Sequence, residues 1–215
     1  NNKKLGTFGN FGTFSFYYSH HITTIEGGMV VCDNENDYEL IKCLRAHGWT
    51  RNLKNKGEYE QKYENIDKRF LFVNLGYNLR PMEIQGKMGL SQLLKLESKN
   101  KNRIYNHDKF IDLLLNNKKN KNIFYTPIKS DNSYIAWFGI VIIIHEEYKH
   151  HLKNFIVHLN NNSVETRPII SGNITQQPVF ELYNVEYDEN NLQGTNLLHE
   201  RAFFIGSSCE KIPME

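Results

Sequence analysis

Gly6-Thr7-Phe8-Gly9-Asn10-Phe11-Gly12-Thr13-Phe14-Ser15-Phe16-Tyr17-Tyr18-Ser19-His20-His21-Ile22-Thr23-Thr24-Ile25-Glu26-Gly27-Gly28 is the stretch that decides the fold. Phe14 to Tyr18 is aromatic and β-prone, which predicts a strand. Ser19-His20-His21 then places a hydroxyl and two imidazoles where that strand ends. Gly27-Gly28 permits a tight turn, and Val30-Val31-Cys32 predicts a buried strand beyond it. Open α/β sheets gather ligands at the carboxyl ends of their strands, so the histidine pair is the first candidate site. Taken from the residues alone, it reads equally as a surface pair or as satisfied core histidines. Adjacent histidines do not have the helical spacing of a zinc-binding His-x-x-x-His pair.

Working outward, the chain of 215 residues is long enough for one or two domains with a real core. An apolar share of 40% is ordinary for a globular protein. A net charge of +2 makes no electrostatic case for a nucleic acid or an anionic membrane as partner. Cys32, Cys43 and Cys209 are widely spaced and form no Cys-x-x-Cys pair, which points to a reducing compartment. The longest apolar run, Ile135 to Ile144, is shorter than the roughly 20 residues that cross a bilayer. No signal-peptide pattern is visible, and a cytoplasmic location is expected.

Ser15-Phe16-Tyr17-Tyr18-Ser19-His20-His21-Ile22-Thr23-Thr24-Ile25-Glu26-Gly27-Gly28 resembles the active-site segment of the DegT/StrS family of sugar-nucleotide aminotransferases. Those are pyridoxal phosphate (PLP) enzymes of the aspartate-aminotransferase type, fold type I. The family segment reads approximately Ser-Phe-x-x-x-Lys-x-x-x-x-x-Glu-Gly-Gly, and its lysine binds the cofactor covalently. Here the lysine slot holds His20. That departure, with His-His-Ile-Thr before Glu-Gly-Gly, is similar to the family's 4-keto-6-deoxy-sugar 3-dehydratase branch.

Three further stretches carry the resemblance. Asn74-Leu75-Gly76-Tyr77-Asn78-Leu79-Arg80-Pro81 resembles the motif whose asparagine reaches across a dimer interface to the partner's PLP phosphate and whose arginine faces substrate. Carried over, these are Asn78 and Arg80. An amide can donate to phosphate, and a guanidinium grips carboxylate or phosphate with a fork. From the residues alone, Asn78 could equally cap a helix and Arg80 be a surface charge. Val164-Glu165-Thr166-Arg167-Pro168-Ile169-Ile170-Ser171-Gly172-Asn173 is similar to a segment of the dehydratase branch. It offers Arg167 to the substrate diphosphate, with an ion pair to Glu165 as the alternative. Asn196 to Gly206 resembles the family's closing helix and strand.

The resemblance implies an α/β chain comprising the C-terminal portion of that fold: the end of the PLP-binding large domain over 1–98 and a small α+β domain over 99–215. The chain opens on Asn1-Asn2-Lys3-Lys4 and enters the active-site segment almost at once. The family places most of its large domain before that point, so a piece of a longer protein is expected, one that folds poorly alone. The residues facing the pyridine nitrogen and stacking on the cofactor are expected outside it.

Chemically, histidine has no primary amine and cannot tether the cofactor, but imidazole titrates near neutrality and serves as acid and base. His20 is therefore the expected catalytic residue, Ser15 and Asn78 the expected cofactor-phosphate ligands, and Arg80 and Arg167 the expected substrate contacts. His21 is expected to sit behind His20. The cofactor is expected as PLP or pyridoxamine phosphate (PMP), with glutamate as amino donor, a nucleotide-linked 4-keto-6-deoxyhexose as substrate and a homodimer as the assembly. A family relative carries a cysteine cluster within the region 52–68. None is present here, so no Fe–S centre is expected, because such clusters take about four thiolates; nor is a metal site. Two other readings remain: a sugar aminotransferase with histidine in the lysine slot, and an inactive dimerising or binding module.

The pattern between the motifs predicts a loop over 33–37 capping a helix over 38–46 that ends at Gly48, and a solvated loop over 52–68. It predicts a strand over 70–73 and a helix from Pro81 past Leu96 to Leu115. A charged loop over 116–122, strands over 123–125 and 134–144, and a helix over 146–159 follow. Trp137 and Phe138 are expected in a core, and His145, His150, His151 and His158 in solvent.

Overall fold

The computed structural model describes residues 3–131 and 133–213. It divides into two compact units, the first ending at Leu96 and the second beginning at Glu97.

In the first unit, β1 (Phe11–Ser15) pairs antiparallel with β2 (Gly28–Cys32), from Phe11 opposite Cys32 to Ser15 opposite Gly28. The aromatic strand expected over 14–18 therefore closes at Ser15. Phe16 turns its backbone into the following loop instead: its N–H donates to Gly27 O over 2.9 Å, and its carbonyl accepts from Thr24 N over 2.8 Å. The second strand is not buried as expected. Met29 is 45% and Val30 46% exposed, since the two strands pair only with each other among the described residues.

Helix α1 (Glu35–Leu44) starts earlier than the apolar pattern indicates, because Asn34 is the cap: its Oδ1 accepts from Asn36 N at 2.8 Å and Asp37 N at 3.2 Å. Past its end, His47 and Gly48 take left-handed φ values of 65° and 77°. The expected loop over 52–68 contains a helix, α2 (Lys56–Lys62). Leu53, 8% exposed, roots its start, and a loop of lysines alone offers no such anchor. The expected strand over 70–73 is a 3₁₀ turn (Lys68–Phe70) and one bridge, Trp49 to Phe72. Leu71 alone points inward, at 1% exposed, while Phe70 and Phe72 lie along the Trp49 ring at 6.1 and 5.6 Å. Helix α3 (Glu83–Asn116) follows Pro81 and runs unbroken for 34 residues, as its apolar spacing predicts.

The second unit is a mixed α+β body. The charged stretch after α3 is one helical turn, α4 (Lys118–Lys121), because Asn117 Oδ1 accepts from Lys119 N at 3.0 Å. Then come β3 (Phe124–Tyr125), β4 (Gly139–Ile144), α5 (Leu152–Asn161), β5 (Thr166–Pro168), α6 (Pro178–Leu182), α7 (Gln193–Arg201) and β6 (Ala202–Gly206). The sheet runs β3-β4-β6-β5, every pair antiparallel. Residues 134–138 stay outside β4, and the helix expected over 146–159 opens as a 3₁₀ turn, Glu146–His151.

The core forms around Ile142, Ile144 and Phe203, with Phe110 and Leu114 of α3 and Leu152, Phe155, Ile156 and Leu159 of α5 against them. These α5 positions recur at helical spacing, which turns one apolar face to the sheet. Trp137 stacks on the buried His107 ring at 4.8 Å, whereas Phe138 stays 40% exposed. His145, His150, His151 and His158 are exposed.

Candidate active site

Ser15, His20, Asn78 and Arg80 all fall in the first unit; Arg167 falls in the second. Ser15 is the last residue of β1 and exposed. Its Oγ accepts from Tyr17 N at 3.3 Å, which leaves its own O–H to donate elsewhere. His20 lies in the turn after the strand, not at the strand's end, and is half-buried. Its N–H donates to Tyr17 O at 3.0 Å, and its ring stands edge-on to the Tyr17 ring at 6.0 Å.

The loop from Phe16 to Gly27 is heavily determined by its own residues. Thr24 is 6% exposed and its Oγ1 donates to Glu26 O at 2.8 Å. Gly27 packs so close that a Cβ there would fall 2.3 Å from Thr24 Oγ1. Ile25 is held at φ 71°, a left-handed conformation that costs a β-branched residue on the order of 1–3 kcal/mol. Its N–H donates to Thr23 Oγ1 at 3.0 Å.

Asn78 is exposed and bridges Ala46 through its backbone, with Leu79 N donating to Arg45 O at 2.9 Å. Asn78 does not cap α3. Met82 N at that helix start is met by Gln85 Oε1 at 2.8 Å. Arg80 is exposed, and no hydrogen bond or ion pair holds its guanidinium among the described residues. Arg167 Nη2 lies 2.8 Å from Glu165 Oε1, with the arginine side chain 58% exposed. The ion pair with Glu165 weighed above is thus present.

An open cleft of about 860 Å³ lies under the β1–β2 ribbon, between it and α1. Glu26 to Gly28 form part of its wall, as do Tyr77 and Leu79, the neighbours of Asn78. Ser15, His20, Asn78 and Arg80 are not among its lining residues. Among the described residues, no helix is long and apolar enough to cross a membrane.

The DegT/DnrJ/EryC1/StrS aminotransferase family matches residues 1–210. The chain belongs to that family. A family relative, GDP-4-keto-6-deoxy-D-mannose 3-dehydratase of Escherichia coli O55:H7, is 38% identical over 209 residues, 96% of this chain and 52% of that enzyme. The solved E. coli GDP-4-keto-6-deoxy-D-mannose-3-dehydratase with bound hydrated PLP superposes with a TM-score of 0.84 at 33% identity, over 98% of this chain and 53% of that one. A GDP-4-keto-6-deoxymannose-3-dehydratase with a histidine changed to asparagine and GDP-perosamine bound gives 0.83 at 35% identity, over 98% and 54%. The chain thus spans about half the length of the relatives it matches. It shares their α/β fold, as the motif resemblance implied.

Motif reading missed the residues that hold the family segment in place. Gln85 and Gln92 of α3 bond to the main chain of the His20 loop. Their one sequence signal is that they lie two helical turns apart and so share a face. In the second unit, the 2%-exposed Asn173 fastens the turn after Arg167: its N–H donates to His199 Nδ1 at 3.2 Å and its Nδ2 to Asn196 Oδ1 at 2.6 Å.

Proposed function

We propose that the chain belongs to a PLP/PMP-dependent enzyme of deoxysugar biosynthesis that removes the C3 hydroxyl of a GDP-linked 4-keto-6-deoxyhexose. The observation that carries this reading is His20: an imidazole stands where the family's aminotransferases present an amine, in a chain 38% identical to a 3-dehydratase. In this reading residues 1–98 complete the cofactor domain and 99–215 form the small domain. The enzyme is a cytoplasmic homodimer with shared sites, and glutamate restores the amine.

The side chains fit the cofactor's chemistry. Ser15 keeps a hydroxyl proton to donate and Asn78 an exposed amide, both suited to a phosphate, and position 20 offers no amine for a covalent link. Bound pyridoxamine phosphate supplies an amine for the sugar's C4 ketone and a ring that accepts the electrons released there. The imidazole of His20 takes up a proton on a ring nitrogen and hands it to the departing C3 hydroxyl, which leaves as water. The Tyr17 ring edge limits how the imidazole turns. The fork of Arg80 suits the substrate's anionic part; Arg167 is the second unit's candidate for the same chemistry and would exchange its Glu165 partner for it.

The test uses a longer protein containing this segment, given PLP, glutamate and GDP-4-keto-6-deoxymannose, with products read by mass spectrometry. Loss of the C3 hydroxyl, reduced at least about a hundredfold by His20→Ala, is the expected result. A 4-amino sugar in its place establishes the aminotransferase reading that the family name favours. No turnover, with no cofactor absorbance, establishes a binding module.

A further inference from the structure

The loop that carries His20 is fastened to α3 by two glutamine side chains. The Gln92 carboxamide pairs with Thr23 in both directions: Thr23 N donates to Oε1 at 3.1 Å, and Nε2 donates to Thr23 O at 2.5 Å. Two turns earlier on the same helix face, Gln85 Nε2 donates to Glu26 O at 2.6 Å, while its Oε1 accepts from Met82 N. Between them lies Gly89, where a Cβ would sit 3.3 Å from Thr24 Cγ2. The helix face thus offers amide, gap, amide, and the loop's main chain lies along it from Thr23 to Glu26.

We propose that Gln92, assisted by Gln85, is the positioning residue of this site. It fixes the loop bearing His20 to the helix that begins just after Asn78 and Arg80. The proposal rests on the reading of His20 as the acid–base residue. Its physical basis is selective. A carboxamide both donates to a carbonyl and accepts from an N–H across one fork, which an ionised carboxylate of the same length does not. Each of these bonds goes to the loop's main chain, and adds to the bonds that Thr23 and Thr24 make within the loop. Ile25 stays in its left-handed conformation only if the surroundings hold it there. Proton transfer is sensitive to this hold, because a misplacement of about 1 Å can lower a rate about a hundredfold.

The experiment compares the parent, Gln92→Leu and Gln92→Glu in the longer, cofactor-loaded protein. Leucine removes both bonds; glutamate keeps the length and the acceptor but loses the donor to Thr23 O. Hydrogen exchange is followed over 16–27, and kinetics with GDP-4-keto-6-deoxymannose are measured per cofactor-bound site. The expected result is exchange over 16–27 faster by about tenfold or more, with β4 and β6 unchanged. With it, kcat falls by about tenfold or more while KM stays within about twofold. Unchanged exchange over 16–27 overturns the proposal. So does a loosened loop with the parent's kcat, which makes Gln92 a structural fastening only. If the parent itself turns nothing over, the functional reading fails, and the exchange result alone decides whether Gln92 holds the loop.

Discussion

The two units hold their shape by different means. In the second, β4 and β6 pair along five residues, and α3 and α5 cover them, leaving Phe203 fully buried. In the first, β1 and β2 pair as closely, yet Phe11, Phe14, Met29 and Val30 remain exposed. Its buried apolar side chains lie elsewhere, at Cys43, Ala46, Leu53 and Leu71. Among the described residues, the candidate site therefore stands on the unit with less apolar support, and directional bonds from Gln85, Gln92 and Thr24 hold its loop. Hydrophobic burial is non-directional; it stabilises a sheet but does not aim a histidine.

Hydrogen exchange gives the largest test of this contrast. Amides of β4 and β6 should exchange about a thousandfold more slowly than those of β1 and β2, because buried ladders open only with their whole unit. Equal protection in the two sheets would break the comparison.

Core truncation sharpens it. Phe203→Ala should destabilise the second unit by about 3–5 kcal/mol, through lost transfer energy and the cavity left behind. Leu71→Ala should cost the first unit about 2–4 kcal/mol. Denaturant unfolding measures both, and exchange over 16–27 should stay at the parent's level in Phe203→Ala.

The smallest expected effect is one the units share. Glu39 is held below its ordinary 4.5 by the Lys42 side chain and then by the Lys54 N–H; Glu200 is held below 4.5 mainly by its hydrogen bond from Lys149. A lowered carboxyl stabilises the fold above pH 4.5, and that contribution fades as the pH falls through the lowered value. Thermal melts below pH 4.5 should show Glu39→Gln and Glu200→Gln converging on the parent, with smaller shifts than either core truncation gives.

Much of this was legible in the residues. β6 followed only from the family resemblance, but the apolar spacing of α3 and α5 and the apolar run of β4 announced themselves, because a period of 3.6 or a dense β-branched run marks a regular element. So did the family segment with His20. What was misjudged shares a cause. Asn34 starts α1 earlier than its apolar residues do, and Asn117 opens a helix that polar sequence disguised as a loop, because a cap's effect depends on which N–H groups its oxygen meets. The strand expected to reach Tyr18 ends at Ser15, because Phe16 finds partners in Gly27 and Thr24.

By itself, then, the sequence determined the family, the presence of α1, α3, β4 and α5 and the identity of the candidate acid–base residue, since these depend on residue type and spacing along the chain. Tertiary structure alone decided which side chains hold that residue. Thr23 and Gln92 are 69 positions apart, and Asn173 and His199 are 26 apart. No local pattern marks such pairs. A glutamine aimed at a distant carbonyl has the same composition and periodicity as one facing solvent, and only the path of the folded chain distinguishes them.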